Sequence, residues 1–189
     1  MTQFNLYGDY INIEPLIDLF INKGEMVKYK RNECFCNVGD GCKYIGYVAT
    51  GAFRFTRDGT DEKEHIISYA FENDFIGSYS SLQSQKPTLF NIQSIKDSVI
   101  YRLPISEINS FLSNTPKFQL LGRRIIEIIL YSLVQQVISI YCNSPEERYI
   151  ELVKRCPTIL NRVSIKELSS YLMITPETLS RIRTKLLSK

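Results

Sequence analysis

Histidine is almost missing from this chain: His65 is the only one in 189 residues. Metal-dependent β-barrel enzymes of the cupin sort gather several histidines and carboxylates around an ion, so that class falls away. No glycine loop that could cradle a phosphate is present, and no nucleophile–base–acid set is supported by spacing. The chain therefore reads as a non-enzyme. The first residues, MTQFNLYGDY, lack a basic segment and an apolar run, which speaks against a secretory signal. The most apolar stretch, Ile125 to Tyr141, is interrupted by Glu127, Gln135 and Gln136. No uncharged run in it reaches the length that spans a bilayer, and a cytoplasmic protein without a membrane partner is expected. The five cysteines (Cys34, Cys36, Cys42, Cys142, Cys156) are an odd set and read as reduced thiols. Cys34-x-Cys36 lacks the C-x2-C or C-x4-C spacing of zinc and iron–sulfur ligands. Those two side chains should share one face of a strand, and neither a metal nor another cofactor is expected. His65, inside the alternating run EHIISYAF, reads as a core or surface residue. Net charge is small too: the value of +3 does not by itself mark a nucleic-acid binder.

What the chain does have is texture that changes along its length. Ile11 to Asn22 reads as a short helix ending at Gly24. From Met26 to Leu103 the segments MVKYKR, ECFCNVG, YIGYVATG, AFRFTRD, KEHIISYAF and DSVIYRL are short, β-branched or aromatic, and partly alternating. Gly39-Asp40, Thr50-Gly51, Asp58-Gly59 and Asn73-Asp74 punctuate them as turns. Many short strands at this spacing predict an antiparallel sandwich or roll. Ile105 to Leu112 follows as a short helix.

Pro116 then opens the longest helical segment, running to about Cys142 and spanning roughly 40 Å at ~1.5 Å per residue. Ile126, Leu130, Leu133, Val137 and Ile140 alternate spacings of 4 and 3 residues, which is a coiled-coil stripe. Tyr131, Val134, Ile138 and Tyr141 form a second stripe. A helix apolar on two sides needs two partners, and the natural assignment is the β-roll on one side and a second copy of the chain on the other. Ser144-Pro145-Glu146-Glu147 is a capping box with proline at the first helical position. It starts a helix that ends before Pro157, and Thr158 to Val163 should be a loop or strand.

The last 26 residues read as a helix-turn-helix. Ser164 and Glu167 make a capping box, and Ile165, Leu168 and Leu172 mark one buried face. Thr175-Pro176-Glu177 restarts the pattern with a hydroxyl cap, a proline and an acidic first turn. Leu179, Ile182 and Leu186 then repeat the spacing. At about 100° per residue, Glu177, Arg181 and Thr184 lie opposite them, flanked by Ser180, Ser188, Thr178 and Lys185. Arg181 can bond a guanine edge bidentately and Glu177 can accept from a cytosine amine. Thr178 and Ser180 are short enough to reach a base or a phosphate, and Arg183, Lys185 and Lys189 suit phosphates. Glu177 and Arg181 could equally form an i, i+4 surface pair. From Arg162 onward the chain carries +4, and everything before it −1, which places the basic charge on the terminal module.

This order of elements resembles the Crp–Fnr family of bacterial transcription regulators over nearly the whole chain. The most specific strings are SPEERYIELVKRCP and ITPETLSRIRTKL, which look like versions common in Bacteroides-type bacteria. GYVATGAFRFTRD and ENDFIG resemble a cyclic-nucleotide-binding β-roll. The resemblance implies an α+β chain. Residues 1–115 would be the β-roll with flanking short helices, 116–142 a dimerisation helix, and 143–189 a winged helix-turn-helix domain. It implies a homodimer that reads a near-palindromic double-stranded DNA site and works with RNA polymerase. Thr175, Glu177, Thr178, Ser180 and Arg181 fall where this family contacts DNA.

The ligand pocket departs from that pattern. Nucleotide-binding members carry a Gly-Glu pair for the ribose and, several residues on, an Arg followed by a small residue for the cyclic phosphate. Here Gly77 is followed by Ser78, the later part reads Lys86-Pro87-Thr88-Leu89, and no arginine occurs between Arg57 and Arg102. A buried phosphate without a cation loses its main compensating charge, and Lys86 lacks the bidentate fork. Tight cyclic AMP binding is therefore not expected. The alternative keeps a cyclic nucleotide or other small anion in the roll through Gly77, Ser78, Lys86 and Thr88. Oxygen-sensing members carry an N-terminal cysteine cluster that is missing here. Met173 stands at a turn position where the family usually has glycine, and carries a strain cost of about 1 kcal/mol if its φ is positive.

Overall fold

The computed structural model describes residues 4–5, 11–60, 62–78 and 86–187. The chain forms two compact units: residues 5–128, and residues 129–189 together with 1–4.

The first unit is the β-roll. After α1 (Glu14–Lys23) come β1 (Glu25–Tyr29), β2 (Cys34–Cys36), β3 (Tyr44–Thr50), β4 (Phe53–Asp58), β5 (Glu64–Ala70), β6 (Phe75–Ile76), β7 (Asn91–Ser94) and β8 (Ser98–Pro104), then α2 (Ile105–Ser113). The strands make two antiparallel sheets, ordered β1-β8-β3-β6 and β2-β7-β4-β5. Alternation along each strand divides the side chains between two cores. Val48 and Ile100 point inward and meet Phe53, Ala70 and Ile92 of the opposite sheet. Their strand neighbours Tyr47 and Tyr101 face the other way and pack with Leu16, Phe20 and Ile108 of the two helices. Gly46 sits where β3 passes Ile76 and Ile100: a Cβ there would come within 2.9 Å of both side chains. Gly51 turns β3 into β4 at φ +108, against the Ser98 side chain.

The strands follow the sequence reading closely, with two omissions. β6 and β7 are absent from it. β7 is the more consequential, because it pairs with both β2 and β4 and holds one sheet together. Its sequence, NIQS, offers a single apolar residue. Its place is fixed by partners rather than propensity, and the buried Ser94 hydroxyl donates to Lys30 O and Glu33 O.

The expectation that Cys34 and Cys36 share a strand face is wrong. A bulge in β2 pairs Cys34 with Gln93 and Cys36 with Ile92, so three residues oppose two. The extra residue breaks the alternation, leaving Cys34 exposed and Cys36 buried. All five cysteines are free thiols.

α3 (Pro116–Cys142) crosses from the first unit into the second. Its first turns belong to the roll: Phe118 stacks on Phe111 at 4.3 Å between centroids, and Ile125 packs on the helix-side core. None of its 27 residues is buried in the single chain. By length and composition alone it could also cross a bilayer, with Glu127 standing inside its apolar stretch.

The second unit continues with α4 (Pro145–Arg155), a 3-10 turn (Pro157–Asn161), α5 (Ile165–Tyr171) and α6 (Pro176–Leu187). The 3-10 turn replaces the loop or strand expected over 158–163; Pro157 opens it and Ile159 is fully buried beneath it. The described residues of this unit carry no strand. Tyr149, Leu152, Cys156, Leu168, Leu172, Leu179 and Ile182 are buried.

Candidate nucleic-acid interface

The helix starts are built as the sequence requires. Ser164 N–H donates to Glu167 Oε2 at 3.0 Å, and Glu167 N–H returns to Ser164 Oγ at 3.2 Å. The Ser144–Glu147 box repeats this at 2.8 and 3.3 Å. At α6 the Thr178 N–H donates to Thr175 Oγ1 at 3.2 Å, and Pro176 takes the first helical position. Each cap satisfies donors that a helix N-terminus leaves open.

The turn between α5 and α6 is short and closed. Leu172 N–H donates to Leu168 O, Met173 N–H to Ser170 O and Ile174 N–H to Ser169 O, each at 3.0 Å. Met173 lies at φ +54, the left-handed region. The expected strain at this position is therefore present, and its side chain is exposed.

Leu179 and Ile182 are buried and Leu186 half-buried, while Glu177, Ser180, Arg181, Thr184 and Lys185 are exposed and Thr178 is half-buried. The polar face thus forms on the side the helical arithmetic assigns. Glu177 and Arg181 make no ion pair with each other among the described residues; Arg181 Nη2 lies 3.5 Å from Thr178 Oγ1 instead. The Glu177 carboxyl is held below the usual carboxylate range by its own backbone N–H and by the Thr175 hydroxyl, so it stays an acceptor at neutral pH. Thr184 Oγ1 donates to Ser180 O at 3.1 Å. Lys185 is not open in the way the sequence suggests: its Nζ pairs with Glu146 Oε2 at 2.6 Å. Glu146 was read only as part of a cap, and the pairing crosses 39 positions of sequence. Ser188 and Lys189 lie outside the described residues.

The roll residues proposed for a ligand separate. Ser78 and Thr88 are buried, at 0 % and 1 % exposure, whereas Lys86 is exposed and Gly77 half-buried. Thr88 and the backbone of Ser78 face the buried Cys36 and Cys42 thiols. Its hydrogen bond with Cys42, together with burial, pushes the Cys36 thiol up, which keeps it neutral. The β4–β7 pairing brings in a residue that linear spacing missed: Arg57 Nη1 donates to Leu89 O at 2.5 Å. Its distance along the chain from the Lys86–Leu89 segment hides that neighbourhood. Among the described residues no group of three or more histidine, cysteine or acidic side chains could hold a metal.

The sequence pattern of the cyclic nucleotide-binding domain family matches residues 26–115, from the second residue of β1 to just past α2. That stretch is similar to a cyclic nucleotide-binding domain. No curated protein matches the chain. Among solved structures, FixK2 from Bradyrhizobium japonicum is 17% identical and superposes with a TM-score of 0.73 over 87% of this chain and 85% of its own. A CooA mutant from Carboxydothermus hydrogenoformans is 13% identical, with a TM-score of 0.71 over 99% of this chain and 85% of its own. A protein from Eubacterium rectale described as of the crp/fnr family is 13% identical, with a TM-score of 0.68 over 97% of this chain and 86% of its own. The β-roll, long helix and C-terminal helices thus share the fold of these solved structures.

Proposed function

We infer that the protein is a sequence-specific DNA-binding transcription regulator that acts as a homodimer and does not depend on cyclic AMP. The observation that carries this is the capped pair α5–α6, which presents Glu177, Arg181 and Thr184 outward on a helix held from behind by Leu179 and Ile182. The Crp–Fnr fold supports a regulator, and the apolar stripes of α3 supply a two-fold partner surface. In that arrangement α6 enters the major groove, Arg181 reads a guanine and Lys185 exchanges Glu146 for a phosphate. Residues 143–189 act as the reading module and 116–142 as the dimer helix. RNA polymerase is the next partner in the chain of action.

Fluorescence anisotropy with duplexes selected from a random pool tests this at controlled salt. Arg181→Ala should cost about 1–3 kcal/mol on the selected site and relax its sequence preference, while Lys185→Ala should weaken all sequences alike. Equal losses for Arg181→Ala on selected and random DNA would remove it from base reading.

The second reading is a regulator that still takes a cyclic nucleotide or other small anion in the roll. The domain match over residues 26–115 favours it. Against it, Lys86 lacks a fork and Arg57 is already engaged by Leu89 O. Calorimetric titration with cyclic AMP and cyclic GMP should give no heat at micromolar affinity; a measured isotherm there reverses the order of the two readings.

A further inference from the structure

Only Asn143 and Ser144 separate α3, which ends at Cys142, from α4, which begins at Pro145. This joint lies wholly inside the second compact unit. Each residue of the link has two soft backbone dihedrals, and those of Ser144 are already fixed. Pro145 confines the residue before it to extended backbone, and the capping box with Glu147 holds Ser144 at φ −64, ψ 159. Asn143 is then the pivot at which the end of α3 can swing against the reading module. Both its backbone and its side chain are held. Its N–H donates to Ser139 O at 3.1 Å. Asn143 Nδ2 donates to Glu151 Oε1 at 2.8 Å, and Ser139 Oγ donates to the other oxygen of that carboxylate at 3.0 Å. Asn143 O accepts from Arg148 Nη1 at 3.0 Å, and Arg148 Nε donates to Leu172 O at 3.2 Å. Arg148 and Glu151, three residues apart, share one face of α4. Leu172 caps α5 one residue before the left-handed Met173. Hydrogen bonds to an ionised carboxylate or from a guanidinium are the strong, directional ones. A cation also suits the carbonyls left open at two helix C-termini.

We propose that Glu151 and Arg148 form a clasp on Asn143 that positions the reading module on the end of the dimer helix, and so sets which half-site spacing the homodimer accepts. The consequence for DNA rests on the regulator reading. Two modules held at fixed angles meet one spacing without further ordering, whereas loose modules must be ordered as they bind. Each base pair added between half-sites moves one of them about 3.4 Å and turns it about 35° relative to the other. Glu151→Ala removes the acceptor for Asn143 and Ser139. It should lower affinity for the native spacing about 3- to 10-fold, leave a single half-site duplex unchanged, and lose less on spacings one base pair shorter or longer. The spacing profile then flattens. Glu151→Gln keeps an acceptor for Asn143 Nδ2 and a donor for Ser139 Oγ, and should restore the wild-type profile.

Fluorescence anisotropy with the full-length protein on duplexes of native, shortened and lengthened spacing, and on the half-site, measures this directly. Equal losses for Glu151→Ala on every duplex, the half-site included, would assign Glu151 to the module's own stability. A Glu151→Ala profile as sharp as that of the wild type would show that other groups hold the pivot. Either result overturns the proposal while the regulator reading stands. The clasp itself is tested without DNA by the thermal midpoints of Asn143→Ala, Glu151→Ala and the double variant. Residues that share one contact should lose less together than the sum of their single losses, whereas additive losses overturn the clasp. Should the wild type bind no duplex, the regulator reading fails and takes the spacing role with it, and the thermal cycle still decides whether the clasp exists.

Discussion

Single residues say much about this chain, and Met173 shows how far one position can be read. A left-handed backbone costs an L-residue about 1–2 kcal/mol, and Met173 adopts φ +54 with its side chain in solvent. Glycine would remove that strain but would loosen the unfolded chain by about 0.4–1 kcal/mol. Met173→Gly should therefore stabilise the C-terminal unit by about 0.5–1 kcal/mol, read as a higher denaturant midpoint with an unchanged slope. A lower midpoint would mean that the methionine makes a contact worth more than its strain. This position was legible through the family resemblance, because the family usually has glycine at this turn and glycine is the residue that tolerates a positive φ. Cys34 and Cys36 were not: period-2 alternation assumes a regular strand, and nothing in ECFCNVG announces a bulge. Lys185–Glu146 and Arg57–Leu89 were hidden for a related reason, since each joins segments that only the tertiary fold makes neighbours.

At the scale of elements, helices were easier to read than strands because their ends are chemically marked. The long helix spans Pro116–Cys142 as expected, and α4 starts at its capping box. β7 escaped because a strand paired on both edges needs no apolar pattern of its own, and the turn at Pro157–Asn161 escaped because proline suits loop and 3-10 alike. The caps also make stability depend on pH. The Ser144 hydroxyl, and then its backbone N–H, hold the Glu147 carboxyl below its ordinary range. A carboxyl whose folded pKa is depressed contributes stability that is complete above the unfolded value. That contribution is lost as pH falls through the folded one. Ser144→Ala should accordingly lower the thermal midpoint at neutral pH, by removing an N-cap, and the gap to wild type should narrow as pH drops below the glutamate range. A gap that stays constant from neutral to acidic pH would show that Glu147 does not titrate against this cap. Glu177 belongs to the same class of first-turn carboxylates, held low by its own backbone N–H and the Thr175 hydroxyl, and it is exposed.

For the whole molecule the deciding question is what covers α3. Leu130, Leu133 and Val137 are 60%, 52% and 53% exposed in the single chain, and Tyr131, Val134 and Ile138 are 55%, 47% and 46% exposed. Apolar area of this extent on one rod calls for a partner, and lipid and a second copy compete for the role. The rod's own polar groups separate them. Glu127 pairs with Arg123 at 2.8 Å and Arg124 at 3.8 Å, and Gln135, Gln136 and Ser139 lie among the apolar positions of its second half. In hydrocarbon each would need a partner inside the span, whereas a dimer leaves them at a wet rim while the spacing of 4 and 3 residues closes a seam. The protein should therefore purify without detergent and sediment as a dimer. Leu133→Glu places like charges opposite each other at the two-fold seam, so it should yield a monomer that keeps the circular dichroism of both units. That monomer should lose affinity for a palindromic site by far more than for a half-site duplex, because the second reading helix is no longer carried to the DNA by the first. Recovery only in detergent micelles, or an unaltered sedimentation coefficient for Leu133→Glu, would remove the two-fold partner and with it the spacing of recognition helices by one DNA turn.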